Sequence, residues 1–211
     1  MPNAQLYACF TLGLSAASGL VQREGIVSVL GDDCAALGRY RLHDGAPLPS
    51  IPLLGQSAKP VLTKAEKPDL EALVDVGDGS FLALGSGSRP NRERGFRISS
   101  TGTVELLNLS PLYARLRDDL PNLNIEGAVL QAGALVLAHR GVGHGSASRL
   151  IRLDAQAALD PRHTCWLPNL LHEIRPIALG ELDGIALAFT DLACDADGVM
   201  HYLAAAEVTE D

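Results

Sequence analysis

Glu71, Asn124, Glu126 and Asp191 are the residues of this chain best suited to grip a hard cation. Carboxylate and amide oxygens favour Ca²⁺ or Mg²⁺ over zinc. They are far apart in sequence and become a set only through a repeated phrase. Ser18-Gly19-Leu20, Glu71-Ala72-Leu73, Glu126-Gly127-Ala128 and Thr190-Asp191-Leu192-Ala193 each open on a small polar or acidic residue. Each then runs through β-type sequence to a second polar or small cluster. Equivalent residues of a repeat recur at equivalent places. Ser18, Glu71, Glu126 and Asp191 are therefore expected to start successive inner strands and to converge on one end of an axis. Asn124, two residues before Glu126, faces the same way on a strand of period two. Carboxylates brought so close must be neutralised, protonated or bound to a cation. The plainer alternative is that they bond backbone N–H groups at strand starts. Asp32 and Asp33 close the first unit, as a further ligand or as a solvated turn.

Two other segments carry chemistry. Ser88-Arg89-Pro90-Asn91-Arg92-Glu93-Arg94 sets three arginines in seven residues. Guanidinium forks match phosphate or carboxylate, so Arg89, Arg92 and Arg94 are candidates to hold an anionic substrate group. The alternative is a solvated loop partly neutralised by Glu93. His139-Arg140-Gly141-Val142-Gly143-His144 carries two histidines, of which His139 is the candidate general base because it closes the third inner hairpin. A plain long loop is the competing reading. The chain has no G-x-S-x-G elbow, no P-loop and no H-E-x-x-H.

The elements that must position these residues are short strands. Val27–Leu30, Arg39–Leu42 and Ile51–Leu54 form a first group. Leu70–Val76 and Phe81–Leu84 flank Gly77-Asp78-Gly79-Ser80, where Asp-Gly tolerates the positive φ of a primed hairpin turn. Gly95–Ile98 and Val104–Leu107 complete a four-stranded unit, which is one propeller blade. Ser110-Pro111 starts a short helix, with serine at the N-cap and proline in the first turn. Asp154 to Asp160 is a weaker turn or helix. Strands also recur over 127–153 and 185–205. The expected fold is an all-β propeller with about four recognisable blade units, approximately 1–60, 61–110, 111–178 and 179–211. The fourth unit stops after its second strand, which predicts an incomplete or truncated ring of five or six blades.

Composition narrows the function. The chain has 211 residues, 47% hydrophobic and only 4% aromatic, so one core of Leu, Val, Ile and Ala is expected. Its formal net charge of -8 argues against nucleic acid and anionic membranes as partners. Cys9, Cys34, Cys165 and Cys194 show no zinc spacing and read as reduced thiols. The apolar N-terminus lacks the basic start of a signal peptide and reads as an opening strand, so the cytoplasm is the expected location. An incomplete ring would leave strand edges open to pairing, which predicts a homodimer through those edges.

Lys67-Pro68-Asp69-Leu70-Glu71-Ala72-Leu73 and Leu82-Ala83-Leu84-Gly85-Ser86-Gly87-Ser88-Arg89-Pro90-Asn91-Arg92-Glu93-Arg94 resemble a family of uncharacterised bacterial β-propeller proteins. Leu109-Ser110-Pro111-Leu112-Tyr113, Leu123-Asn124-Ile125-Glu126-Gly127-Ala128, Phe189-Thr190-Asp191 and Leu203-Ala204-Ala205-Ala206-Glu207 look like further motifs of that family. Its members run further, with another glutamate-glycine unit. The family implies a fold and no activity. A wider likeness is to calcium-dependent propeller hydrolases of the gluconolactonase, phosphotriesterase and esterase-like phytase groups. It implies an axial Ca²⁺ held by Glu71, Asn124, Glu126 and Asp191, and hydrolysis of a small ester, lactone or phosphoester. Ser18 departs from that pattern. The competing expectation is a non-catalytic propeller that binds a protein or small ligand.

Overall fold

The computed structural model describes residues 9–34, 36–55, 62–141 and 147–207. Among them are four antiparallel sheets arranged as the blades of a β-propeller. The first sheet is β1 (Ala17–Arg23), β2 (Ile26–Gly31), β3 (Ala36–Arg41) and β4 (Pro47–Pro52). The second is β5 (Leu70–Asp75), β6 (Phe81–Gly85), β7 (Arg94–Ile98) and β8 (Val104–Asn108). A helix, α1 (Ser110–Asp119), then leads to the third sheet of β9 (Ile125–Gln131), β10 (Ala134–His139), β11 (Arg149–Asp154) and, after α2 (Ala155–Leu159), β12 (Leu171–Pro176). The fourth is β13 (Glu181–Leu182), β14 (Ile185–Cys194) and β15 (Met200–Ala206). Residues 9–16 are irregular, so the opening strand expected there begins only at Ala17. The expected strand position Leu6 lies outside the described residues.

Period-two alternation explains how blades stack. On β6, Leu82 and Leu84 point to one side of the second blade, and Phe81 and Ala83 to the other. The first pair joins Leu135, Leu137, Ile151 and Leu153 of the third blade. The second pair joins Leu30 and Leu37 of the first. On β10 the same rule sends Ala134, Val136 and Ala138 toward Phe189 and Leu192 of the fourth blade. Each apolar wedge fills one gap between neighbouring blades. Both faces of the middle blades are thus buried, and their inner strands read as almost continuous apolar runs.

The inner strands β1, β5, β9 and β14 are neighbours in that order. Each carries a bulge against the next strand of its own blade. The residues passed over in the pairing are Ser18, Glu71, Glu126 and Thr190. Three of these bulges are closed by the same backbone bond: Asp32 N–H to Ala16 carbonyl (3.0 Å), Ser86 N–H to Asp69 (2.9 Å) and Arg140 N–H to Asn124 (2.9 Å). A bulge re-aims the unpaired residue and recurs beside functional sites. The repeated phrase in the sequence is this bulge. In the fourth unit it falls on Thr190, and Asp191 takes the place held by Gly19, Ala72 and Gly127.

Both helical expectations have counterparts. Ser110 is the first helical residue rather than the cap; Asn108 Oδ1 instead accepts from the Ser110 N–H at 3.1 Å. Asp154 caps α2 by accepting from Ala157 N–H at 3.0 Å. Helix α1 is anchored to the second blade by the buried Tyr113, whose hydroxyl donates to the Gly85 carbonyl at 2.8 Å. None of the described helices is long and apolar enough to cross a membrane.

Candidate functional site

The bulges of β5 and β9 open into one cleft of about 660 Å³ between the second and third blades. Asp69 and Glu71 enter it from the start of β5, and Asn124 and Glu126 from the start of β9. Ser88, Arg89 and Arg92 come from the loop joining β6 to β7. Arg117, Asn122 and Leu123 close the wall from the end of α1 and the segment after it. Five sequence candidates therefore meet here: Glu71, Asn124, Glu126, Arg89 and Arg92. Arg94 sits on β7 opposite Asn108 and outside the lining. Asp191 is also outside it, and its carboxylate accepts from Leu192 N–H at 2.7 Å. Burial pushes the Asp191 carboxyl up to about 6.

An ion-pair network stands at the β5 side. Oxygen atoms of Asp32, Asp69 and Glu71 lie within 4.8 Å of one another. The Lys67 ammonium bonds Asp32 and lies 2.9 Å from Asp69. Burial works against that ammonium, but Asp32 and Asp69 outweigh it and raise its pKa. Asp69 is buried and also takes Arg92 Nη1 and Ser86 Oγ, each at 2.6 Å. Arg92 Nη1 continues to Ser88 Oγ at 2.7 Å. Arg92 is 9% exposed, and its Nε is buried with no hydrogen-bond partner.

Glu71 is the exception in this crowd. Among the described residues its carboxyl makes no hydrogen bond or ion pair, whereas Asp32, Asp69, Glu126 and Asp191 all have partners. Burial, then the charges of Glu126, Asp69 and Asp32, push it up to about 8. Near neutral pH it is mainly a protonated acid that can donate a hydrogen bond. Arg89 is likewise exposed and without an ion-pair partner among the described residues.

These bulge and loop residues fall inside a single family match. The sequence model described as "Family of unknown function (DUF6929)" matches residues 13–211. The chain belongs to the DUF6929 family. No curated protein matches it. Among solved structures, the computationally designed Ika8 protein is 14% identical, with 90% of this DUF6929 chain and 46% of that chain covered and a TM-score of 0.41. The chain thus spans about half the length of that structure. The designed Ika4 protein is 14% identical over 96% of this chain and 99% of its own, with a TM-score of 0.40. The WD40 β-propeller domain of Doa1 is 8% identical over 89% and 60%, with a TM-score of 0.38.

On the β9 side the DUF6929 chain builds a second network. Asn124 Nδ2 donates to Glu126 Oε1 at 2.5 Å, and Arg140 Nη1 lies 3.5 Å from the same oxygen. Arg140 also pairs with Glu207, which follows β15. Burial raises the Glu126 pKa, against the pull of Arg140 and Asn124. His139, proposed from sequence as a general base, is buried, and its Nδ1 faces the backbone of Asn124 at 3.2 Å. Burial drops its pKa to about 4. These contacts give it the position of a clamp beneath the β9 bulge. His144 lies outside the described residues.

Sequence reasoning missed Lys67, Asp69, Arg117 and Arg140 as members of the site. Arg117 pairs with Glu93 at 2.6 Å and reaches the Gly87 carbonyl, so it braces the arginine loop against α1. The available signal was the Lys67-Pro68-Asp69 stretch directly before the repeated phrase. A polar pair of opposite sign beside a buried strand start invites mutual neutralisation.

Proposed function

We propose that this protein is a binding propeller whose cleft between the second and third blades takes a small anionic, hydroxylated molecule. The arginine loop holds the anionic group through Arg89 and through the part of Arg92 not engaged by Asp69 and Ser88. Protonated Glu71 donates to an oxygen of the same molecule, and the Asn122 and Asn124 amides lie on the same wall. One observation supports this reading above the others. Arg89 and the Glu71 carboxyl, neither with a hydrogen bond or ion pair among the described residues, line one cleft. Unpaired polar groups at a concave site are what a ligand satisfies. The test is thermal shift and calorimetry with hydroxy acids and sugar phosphates. Binding that Arg89→Ala weakens supports the reading, and indifference to every anionic compound refutes it.

A second reading keeps the expected divalent-cation-dependent hydrolase. The oxygen atoms of Asp32, Asp69 and Glu71 favour it, because a hard cation suits such donors. Lys67 already satisfies two of those carboxylates, so a Ca²⁺ ion would have to displace it. Ca²⁺-dependent turnover of p-nitrophenyl esters or phosphoesters would favour this reading over the first.

A further inference from the structure

We infer that Lys67 is the resident cation of this carboxylate cluster, paired with Asp32 and Asp69 where a divalent ion would otherwise bridge them. This inference does not depend on the ligand proposed for the cleft. The three carboxylates come from two blades: Asp32 follows β2 of the first, and Asp69 and Glu71 flank the start of β5 in the second. Carboxyl groups this close must be protonated or matched by positive charge. The chain supplies it from the segment joining those blades. Lys67 Nζ bonds Asp32 and stands 2.9 Å from Asp69, while Arg92 caps the far oxygen of Asp69 at 2.6 Å. The Lys67 side chain is only 16% exposed, so the ammonium is largely enclosed beside Asp32 and Asp69.

The arrangement has consequences beyond neutralisation. Lysine is a compact point charge with three donors, suited to replace a small ion between oxygens. Unlike an ion, it is covalently tied to the segment leading into β5. It fixes Asp69, and through Asp69 the guanidinium of Arg92 that lines the cleft. Lys67 is thus a positioning residue, and the cluster holds its geometry without a metal.

The experiment is calorimetric titration of Ca²⁺ and Mn²⁺ into wild type, Lys67→Met and Lys67→Arg at neutral pH, with melting followed in parallel. Wild type and Lys67→Arg are expected to show no stoichiometric binding and no ion-dependent rise in Tm. Lys67→Met, which removes the ammonium from beside Asp32 and Asp69 and leaves the carboxyl oxygens of Asp32, Asp69 and Glu71 free to ligate, is expected to bind one ion about tenfold or more tighter than wild type and to regain Tm with it. One-to-one Ca²⁺ binding by wild type would overturn the inference. So would a well-folded Lys67→Met protein that gains no affinity. If Lys67→Met does not fold, Lys67→Gln takes its place with the same readout, and the wild-type titration needs no variant.

Discussion

Gly127 of β9 is packed directly on Asp191 of β14: a Cβ built on Gly127 would fall 2.9 Å from the Asp191 Cα and 2.6 Å from the Leu192 nitrogen. Gly19 of β1 stands in the same relation to β5, with its Cβ position 3.0 Å from the Leu73 nitrogen. The glycine after the bulges of β1 and β9 lets each of those inner strands lie against the next. Backbone cannot retreat as a side chain can. Gly127→Ala is therefore expected to cost about 1–3 kcal/mol through overpacking, and Gly19→Ala less. Denaturant unfolding of both variants checks the order. Equal and negligible effects would mean that the blades are not held at this spacing.

Tyr113→Phe should destabilise the protein by about 1–3 kcal/mol, because it strands the Gly85 carbonyl in a buried site. The m-value should not change, since the hydroxyl adds little surface. A loss below a few tenths of a kcal/mol would show that the Tyr113 hydroxyl does little to hold α1.

Stability should fall as pH rises from about 6.5 to 8. The folded Glu71 pKa of about 8 lies above its ordinary 4.5, so across this window the folded state binds more protons than the unfolded one. Its stabilising contribution is complete below the ordinary value and is lost on passing about 8. Glu126, also raised, acts in the same direction. Asp191, with a folded pKa of about 6, has spent most of its effect by then. His139 works oppositely, because its folded pKa of about 4 adds stability as pH climbs toward 6.5 and nothing beyond. Urea midpoints at several pH values are expected to decline less steeply above pH 6.5 in Glu71→Gln than in wild type. Identical slopes in the two proteins would contradict the raised Glu71 pKa.

The propeller was legible because its signals are local and repeated. Alternating Phe81, Leu82, Ala83 and Leu84 next to an Asp-Gly turn names a hairpin from sequence alone. The repeated phrase located the bulges at Ser18, Glu71 and Glu126. At Thr190-Asp191 it had two polar residues to choose from, and only strand pairing shows which one is passed over. Glu71, Asn124, Glu126, Arg89 and Arg92 were visible as chemistry-bearing residues. Their neutralisation was not, because Lys67 reaches Asp32 across 35 residues and Arg140 reaches Glu207 across 67. Such pairs depend on how blades sit against each other, which no local pattern encodes.

Arg89→Ala should leave stability within about 0.5 kcal/mol of wild type, since the side chain is exposed and makes no ion pair among the described residues. The same change should weaken binding of an anionic ligand by roughly tenfold to a hundredfold, the range for a charge-assisted hydrogen bond of about 1.5–3 kcal/mol. A variant that melts early, or that binds like wild type, would remove Arg89 from the site.

The most direct test of the cleft is an NMR titration of ¹⁵N-labelled protein with gluconate, a hydroxy acid, and with inorganic phosphate as the bare anion. Saturable shifts are expected at Ser88–Arg92 and Asn122–Glu126, including the Asn124 side-chain amide, with gluconate binding tighter than phosphate. Shifts that never saturate, or that scatter over the blades and spare the cleft, would contradict the assignment.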